Sequence, residues 1–149
     1  MKNTLLLLDV ADLWKNAFIE FGPKYRFDFD KILRKARLSK SDKITSFAFV
    51  SAVAGKKQDS LLKKLAAANI TAIVYENKID MIEVFQKHIE SCDAFMLGSG
   101  SPELIAYVEA ANWHNKDTYI IACAEGLDKK LANEADDIIL LNKNETVAL

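Results

Sequence analysis

Apolar runs of strand length recur along this chain, and the intervals between them leave room for one helix each, or two after the first run. They are Thr4 to Val10, Ile44 to Val53, Ile70 to Tyr75, Asp93 to Leu97, Thr118 to Ala124 and Asp137 to Leu141. The runs are near-continuous in Val, Ile, Leu and Phe, the pattern of strands covered on both faces in a parallel sheet. Helical patterns fall between them, at Asp12 to Phe21, Asp28 to Ala36, Ser60 to Ala68, Met81 to Ser91, Pro102 to Asn115 and Asp128 to Glu134. This alternation predicts an α/β protein, a three-layer sandwich around a mostly parallel central sheet of five to six strands.

Right-handed crossovers keep successive helices on one face until the chain returns to the middle and winds the other way. Numbering the apolar runs in turn, the expected strand order is 3-2-1-4-5 with a late strand at an edge. The first and fourth runs are then neighbours whose following loops diverge, and ligands of open α/β sheets bind in such a crevice. The candidate site is therefore the loops after Asp9 and after Leu97. At 149 residues the chain can bury roughly two-thirds of its unfolded surface. No linker or repeat divides it, so residues 1–149 read as one domain, loose only at Gly22 to Tyr25, Ser39 to Lys43 and the tail after Asn142.

Charge excludes some functions. With 20 basic against 21 acidic residues the chain is no globally basic polyanion binder, so a polyanion must be held by a local patch or a metal. Local clusters do exist, at Lys24, Arg26, Lys31, Arg34, Lys35, Arg37, Lys40 and Lys43 and again at Lys56, Lys57, Lys63 and Lys64. They suit either a solvated helix face or a phosphate track beside an acidic site. Cys92 and Cys123 have no CxxC spacing, which argues against zinc or a disulfide framework. The first apolar run is too short to span a bilayer and is followed by no signal-peptide cleavage region, so the expected setting is cytoplasmic, without a membrane.

The first strand ends in Leu8-Asp9-Val10-Ala11-Asp12. Two carboxylates there could share Mg²⁺ or Mn²⁺, which prefer oxygen ligands, although Asp12 also suits a helix N-cap. Asp9, flanked by apolar residues, is costly to bury without a partner, which favours a functional role. The fourth run leads into Gly98-Ser99-Gly100-Ser101-Pro102-Glu103. Its glycines permit a tight turn and the following helix N-terminus offers N–H groups to an anion, which makes Ser99, Gly100 and Ser101 candidate ligand contacts. Ordinary capping by Ser101, Pro102 and Glu103 explains the same residues equally well. Asp80 with Glu83 outlines a capping box, and Asp136 and Asp137 mark a turn. Neither GxGxxG nor GxxxxGK[ST] occurs, Gly98-Ser99-Gly100 is no nucleophile elbow, and His88 and His114 fall on helical patterns, so dehydrogenase, P-loop and triad hydrolase readings lack support.

In the order of these pieces the chain resembles the NYN domain, the LabA-like branch of the PIN-like nuclease superfamily, over nearly its whole length. The family's Asp-x-x-Asn end of the first strand is matched by Asp9 and, with aspartate for asparagine, by Asp12. Its Lys-Gly-Val-Asp-like motif is similar to Lys78-Ile79-Asp80. Its Ser-Gly-Asp-x-Asp-Phe motif falls on Ser99-Gly100-Ser101-Pro102-Glu103-Leu104, with serine and glutamate where the family has aspartates. Its closing pattern of a leucine-containing helix, then alanine-aspartate and a short strand, looks like Leu131-Ala132-Asn133-Glu134-Ala135-Asp136 followed by Asp137 to Leu141.

The resemblance implies a PIN-like, Rossmann-like fold and divalent-metal-dependent cleavage of RNA. It makes Asp9, Asp80 and Glu103 the ligands of Mg²⁺ or Mn²⁺, gives Asp12 the role of orienting a ligand or water, and leaves a homodimer open. The leading expectation is a metal-dependent ribonuclease or its weakened descendant. Two others stand beside it: a non-catalytic RNA- or protein-binding module, and a phosphate or nucleotide site at Gly98 to Ser101.

Overall fold

The first strand, β1 (Asn3–Asp9), contains four leucines in succession, and alternate side chains of a strand point to opposite faces. Leu5 and Leu7 enter one hydrophobic cluster and Leu6 and Leu8 the other. Such a strand is stable only where both faces are covered, and β1 lies in the interior of the sheet between two parallel neighbours. The protein is described by a computed structural model covering residues 2–52 and 56–148. Val53, the end of the second apolar run, and the side chains of Lys56 and Lys57 lie outside the described residues.

The chain continues through α1 (Val10–Phe21), β2 (Tyr25–Phe27), α2 (Phe29–Ala36), β3 (Lys43–Ser51), α3 (Lys56–Ala67) and β4 (Thr71–Tyr75). It then forms α4 (Ile82–His88), β5 (Ala94–Gly98), α5 (Ile105–Trp113), β6 (Asp117–Cys123), α6 (Lys129–Glu134), β7 (Asp137–Leu141) and β8 (Thr146–Ala148). Six parallel strands make one sheet in the order β4-β3-β1-β5-β6-β7. Counting only the apolar runs, this is the expected order with the sixth at the edge.

Helices α1, α2 and α3 cover one face, burying Leu13 and Ala17, Ile32 and Ala36, and Leu61 and Leu65 against Leu6 and Leu8. On the other face α4, α5 and α6 bury Phe85, Val108 and Ala111, and Leu131 against Leu5 and Leu7. The three-layer α/β sandwich is thus as the periodicity predicts. Among the described residues no helix is long and apolar enough to cross a membrane.

Two segments read as loose are ordered. Tyr25–Phe27 pairs antiparallel with Thr146–Ala148 as a separate two-stranded sheet. Three residues are too few for a hydrophobic period to show, and the partners stand at opposite ends of the chain. The return is fixed by polar contacts: Asn142 and Glu145 form a capping box, Glu145 accepts from the Asn142 N–H (2.8 Å) and from Lys35 Nζ (2.9 Å), and the Asp28 N–H donates to the Glu145 carbonyl (2.9 Å). Glu145→Ala leaves the part-buried Asn142 N–H and the Lys35 ammonium without their acceptor, a loss of roughly 1 kcal/mol or somewhat more. Urea unfolding should show that loss, and a change within error of zero would contradict the role given to Glu145.

Candidate active site

Strands β1 and β5 pair directly, with Leu8 beside Gly98, yet their continuations part: α1 packs on one face of the sheet and α5 on the other. The crevice at this switch point holds Asp9, the last residue of β1 and only 6% exposed. Asp9 is the N-cap of α1, its Oδ1 accepting the Asp12 N–H at 3.3 Å, and its Oδ2 accepts from the Ser99 hydroxyl at 3.1 Å. Burial holds the Asp9 carboxyl above the ordinary carboxylate range, and the charges of Asp12 and Glu103 push the same way. The bonds from the Asp12 N–H and Ser99 oppose this rise without cancelling it.

Asp12 is not the cap that its position suggests, because the helix already begins at Val10 under Asp9. Its Oδ2 instead accepts from the Gly100 N–H at 2.8 Å and from Asn16 Nδ2 at 3.2 Å. One carboxylate thereby ties the start of α1 to the turn after β5. Asn16, itself buried, also abuts Gly126: a Cβ there would fall 2.3 Å from Asn16 Oδ1, and Gly126 has φ +77°. Asn16 carries no motif of its own, and its spacing of four residues from Asp12 on one helix face is the only mark it leaves in the sequence.

Contrary to that expectation, three N–H groups in and just after the turn Gly98 to Ser101 are already occupied by the chain itself. The Gly100 N–H is taken by Asp12, the Ser101 N–H by Ser99 Oγ (3.1 Å) and the Glu103 N–H by Ser101 Oγ (3.3 Å). Glycine at 100 answers a packing need, since a Cβ would lie 2.6 Å from the Gly126 carbonyl oxygen. Ser101 and Pro102 cap a short 3-10 turn, Pro102–Leu104, before α5, which is the structural reading of these residues.

A cavity of about 320 Å³ opens above Asp9 and is lined by Asp12, Lys15, Tyr75, Lys78, Ser101 and Glu103 among others. Asp80 does not line it. Its Oδ1 accepts the Ile82 N–H at 3.0 Å, and its side chain borders a neighbouring cavity that shares Lys78, Ile79 and Glu103 with the first. The set Asp9, Asp80 and Glu103 is therefore not gathered at one point. Among the described residues, no three His, Cys, Asp or Glu side chains form a group that could hold a metal ion. Asp12 stands with Asp9 and Glu103 around the smaller cavity instead.

Lys15 and Lys78 supply positive charge at the crevice, and Tyr75, its hydroxyl pushed up by burial and by Asp9, remains a protonated donor. The larger basic cluster lies elsewhere. Lys31 and Lys35 bond Thr146 and Glu145 and, with Arg34, line a cavity other than the one above Asp9. Lys43 pairs with Asn3, at the opposite end of β1 from Asp9. None of these cations lines the cavity above Asp9. A thiol nucleophile is also excluded at Cys123, whose pKa is pushed up to about 12, chiefly by burial. Asp136 serves the turn that its position suggests, accepting the Thr118 N–H at 2.9 Å.

No family model matches the chain, and no curated protein matches it. A solved structure of a protein of unknown function from Vibrio parahaemolyticus RIMD 2210633 is similar over 98% of this chain and 96% of its own, with a TM-score of 0.83 and 16% identity. At that identity the likeness concerns the fold, and it extends to the whole arrangement of layers and strands.

The Asp9 charge has a thermodynamic consequence. A carboxyl whose folded pKa lies above its unfolded value lowers stability as pH rises from about the unfolded value through the folded one. Asp9→Asn should therefore raise Tm at pH 7, with the gain shrinking as pH falls toward the ordinary carboxylate value of 3.8. Thermal melts across pH 4 to 8 check this, and a variant less stable at pH 7 than at pH 4 relative to wild type would contradict it.

Proposed function

We propose that this chain is a divalent-metal-dependent phosphodiesterase of the NYN type acting on RNA. The observation that carries the reading is the buried, strained-in-charge Asp9, set at the switch-point crevice with Asp12 and Glu103 and flanked by Lys15 and Lys78. Perturbed carboxylates set in a cleft cluster at functional sites, where burial and neighbouring charges tune them for chemistry.

With no three-carboxylate cage among the described residues, the crevice suits a hard cation held through few protein oxygens and a water-rich shell. Mg²⁺ is usually held by one or two carboxylates together with waters and substrate phosphates, and Asp9 and Asp12 offer oxygen donors of that kind. When bound, Mg²⁺ or Mn²⁺ supplies polarisation of the phosphoryl oxygen and activation of water. The chain's own groups do the rest. Asp9 is oriented by Ser99 and the Asp12 N–H, Asp12 by Gly100 and Asn16, while Lys15 and Lys78 draw a phosphate to the acidic mouth. Both cysteines are free and buried, which suits a reducing, cytoplasmic setting.

The test is Mn²⁺ titration by calorimetry together with cleavage of unstructured RNA. Wild type should bind Mn²⁺ and cleave, and Asp9→Asn should lose roughly 10²-fold or more of the rate. A wild-type chain that neither binds Mn²⁺ nor cleaves RNA overturns the proposal. The position of Asp80 in the neighbouring cavity, and Ser101 acting as a cap, favour a second reading as a non-catalytic RNA-binding module. That reading is selected by RNA binding without turnover. The occupied N–H groups of Gly100, Ser101 and Glu103 speak against the third, a phosphate site at the turn.

A further inference from the structure

We propose that the groove between α4 and α5 is a seat for a single nucleoside, placed beside the acidic cavity so that a phosphate attached to the nucleoside meets Lys78. The proposal rests in part on the phosphodiesterase reading, which supplies a reason for the two cavities to adjoin.

The groove encloses about 860 Å³, within the ~300–1,000 Å³ common for small-molecule sites. Its floor is Phe85, Ile89 and Leu104, all buried, with Tyr107 half-buried above them. The Tyr107 ring is fixed before any ligand arrives: its hydroxyl accepts the Met81 N–H at 3.0 Å and its ring meets Phe85 at an angle, with centroids 5.5 Å apart. A flat aromatic ligand can use such a surface at little further entropic cost.

Helix α5 adds an independent indication. Its sequence IAYVEAANW has one charged residue, Glu109, although the helix lies on the outside of the sandwich. Ala106 is exposed on the groove wall, and opposite it Ile82 is 53% exposed. An apolar wall of this kind is expected to be covered in use.

Charge decides what part of a ligand enters. Asp80, Glu90 and Glu103 border the groove, and His114 Nδ1 lies 2.9 Å from Glu90 Oε1. A chain of phosphates is repelled from this interior, whereas a neutral base and ribose are not. The carboxylates accept from ribose hydroxyls and exocyclic amines, and the Gln86 amide both donates and accepts. Lys78 and Glu103 border both cavities, so Lys78 stands where one phosphate leaves the groove for the crevice.

The experiment is a metal-free titration of the ¹⁵N-labelled full chain with uridine, adenosine, their 5′-monophosphates and ribose 5-phosphate, followed by amide shifts. Nucleosides should give saturable shifts at Gln86, Ala106 and Tyr107, the monophosphates should bind more tightly, and ribose 5-phosphate should leave these amides unmoved. Ala106→Trp, at an exposed position, should abolish the shifts, and Gln86→Ala should weaken them. In Mn²⁺-dependent cleavage of a short RNA, Ala106→Trp should raise KM about tenfold with kcat unchanged. Nucleoside binding in a chain that cleaves no RNA sustains the seat and removes the nuclease reading, leaving free nucleotides as the source. Cleavage with normal KM in Ala106→Trp and no nucleoside shifts overturns the seat and leaves the nuclease reading. Shifts with an arginine-rich peptide and none with nucleosides also overturn it.

Discussion

The fold depends on β1 being buried on both faces. Its leucines divide alternately between two hydrophobic clusters, so the strand belongs in the interior of the sheet with a helical layer on each side. Parallel pairing to β3 and β5 then brings the chain out at one end of the sheet, and the last residue of the strand is Asp9. The same apolar surroundings that make β1 a good central strand strip water from this carboxylate. A core requirement and a charged site are thus consecutive in the chain, and the energetic tension between them is concentrated in one residue.

Around Asp9 the loop backbone is held by side chains. Ser99 bridges Asp9 and the Ser101 N–H, Asp12 bridges Asn16 and the Gly100 N–H, and Asn16 rests against Gly126. Loops after three strands, β1, β5 and β6, are held in register by this network. Preorganisation of this kind fixes carboxylates without a bound ligand, and it also uses up the N–H groups that a glycine-rich turn would otherwise offer to an anion. The site is consequently acidic and rigid on the β1 side. The larger, more apolar groove lies on the α4 and α5 side, with Lys78 and Glu103 between them.

Much of this was readable from residue order alone. The apolar runs named the six parallel strands, and alternation with helices, joined to the right-handed crossover rule, yielded their order and the place of the crevice. Asp9 could be singled out because a lone carboxylate in an apolar run is expensive without a purpose. The capping assignments were harder. Asp9 and Asp12 are both good N-caps by type, and only the backbone at Asp9, extended at φ −92° and ψ 91°, settles that it is the cap and that Asp12 is free to reach Gly100. Asp80 likewise matched a motif by spacing, but the path of the loop after β4 sets its side chain toward the groove.

The sequence by itself determined the layers, the central strand and the acidic end of that strand, because hydrophobic period and burial are local properties that repeat over several residues. Tertiary structure decided the pairing of β2 with β8, the partners of Asp12, and the cavities that Asp80 and the α2 cations line in place of the one above Asp9. Most of these arrangements bring together residues far apart in the chain through a few contacts. Such contacts leave no periodic trace, and their geometry exists only once the hydrophobic layers have set the distances between loops.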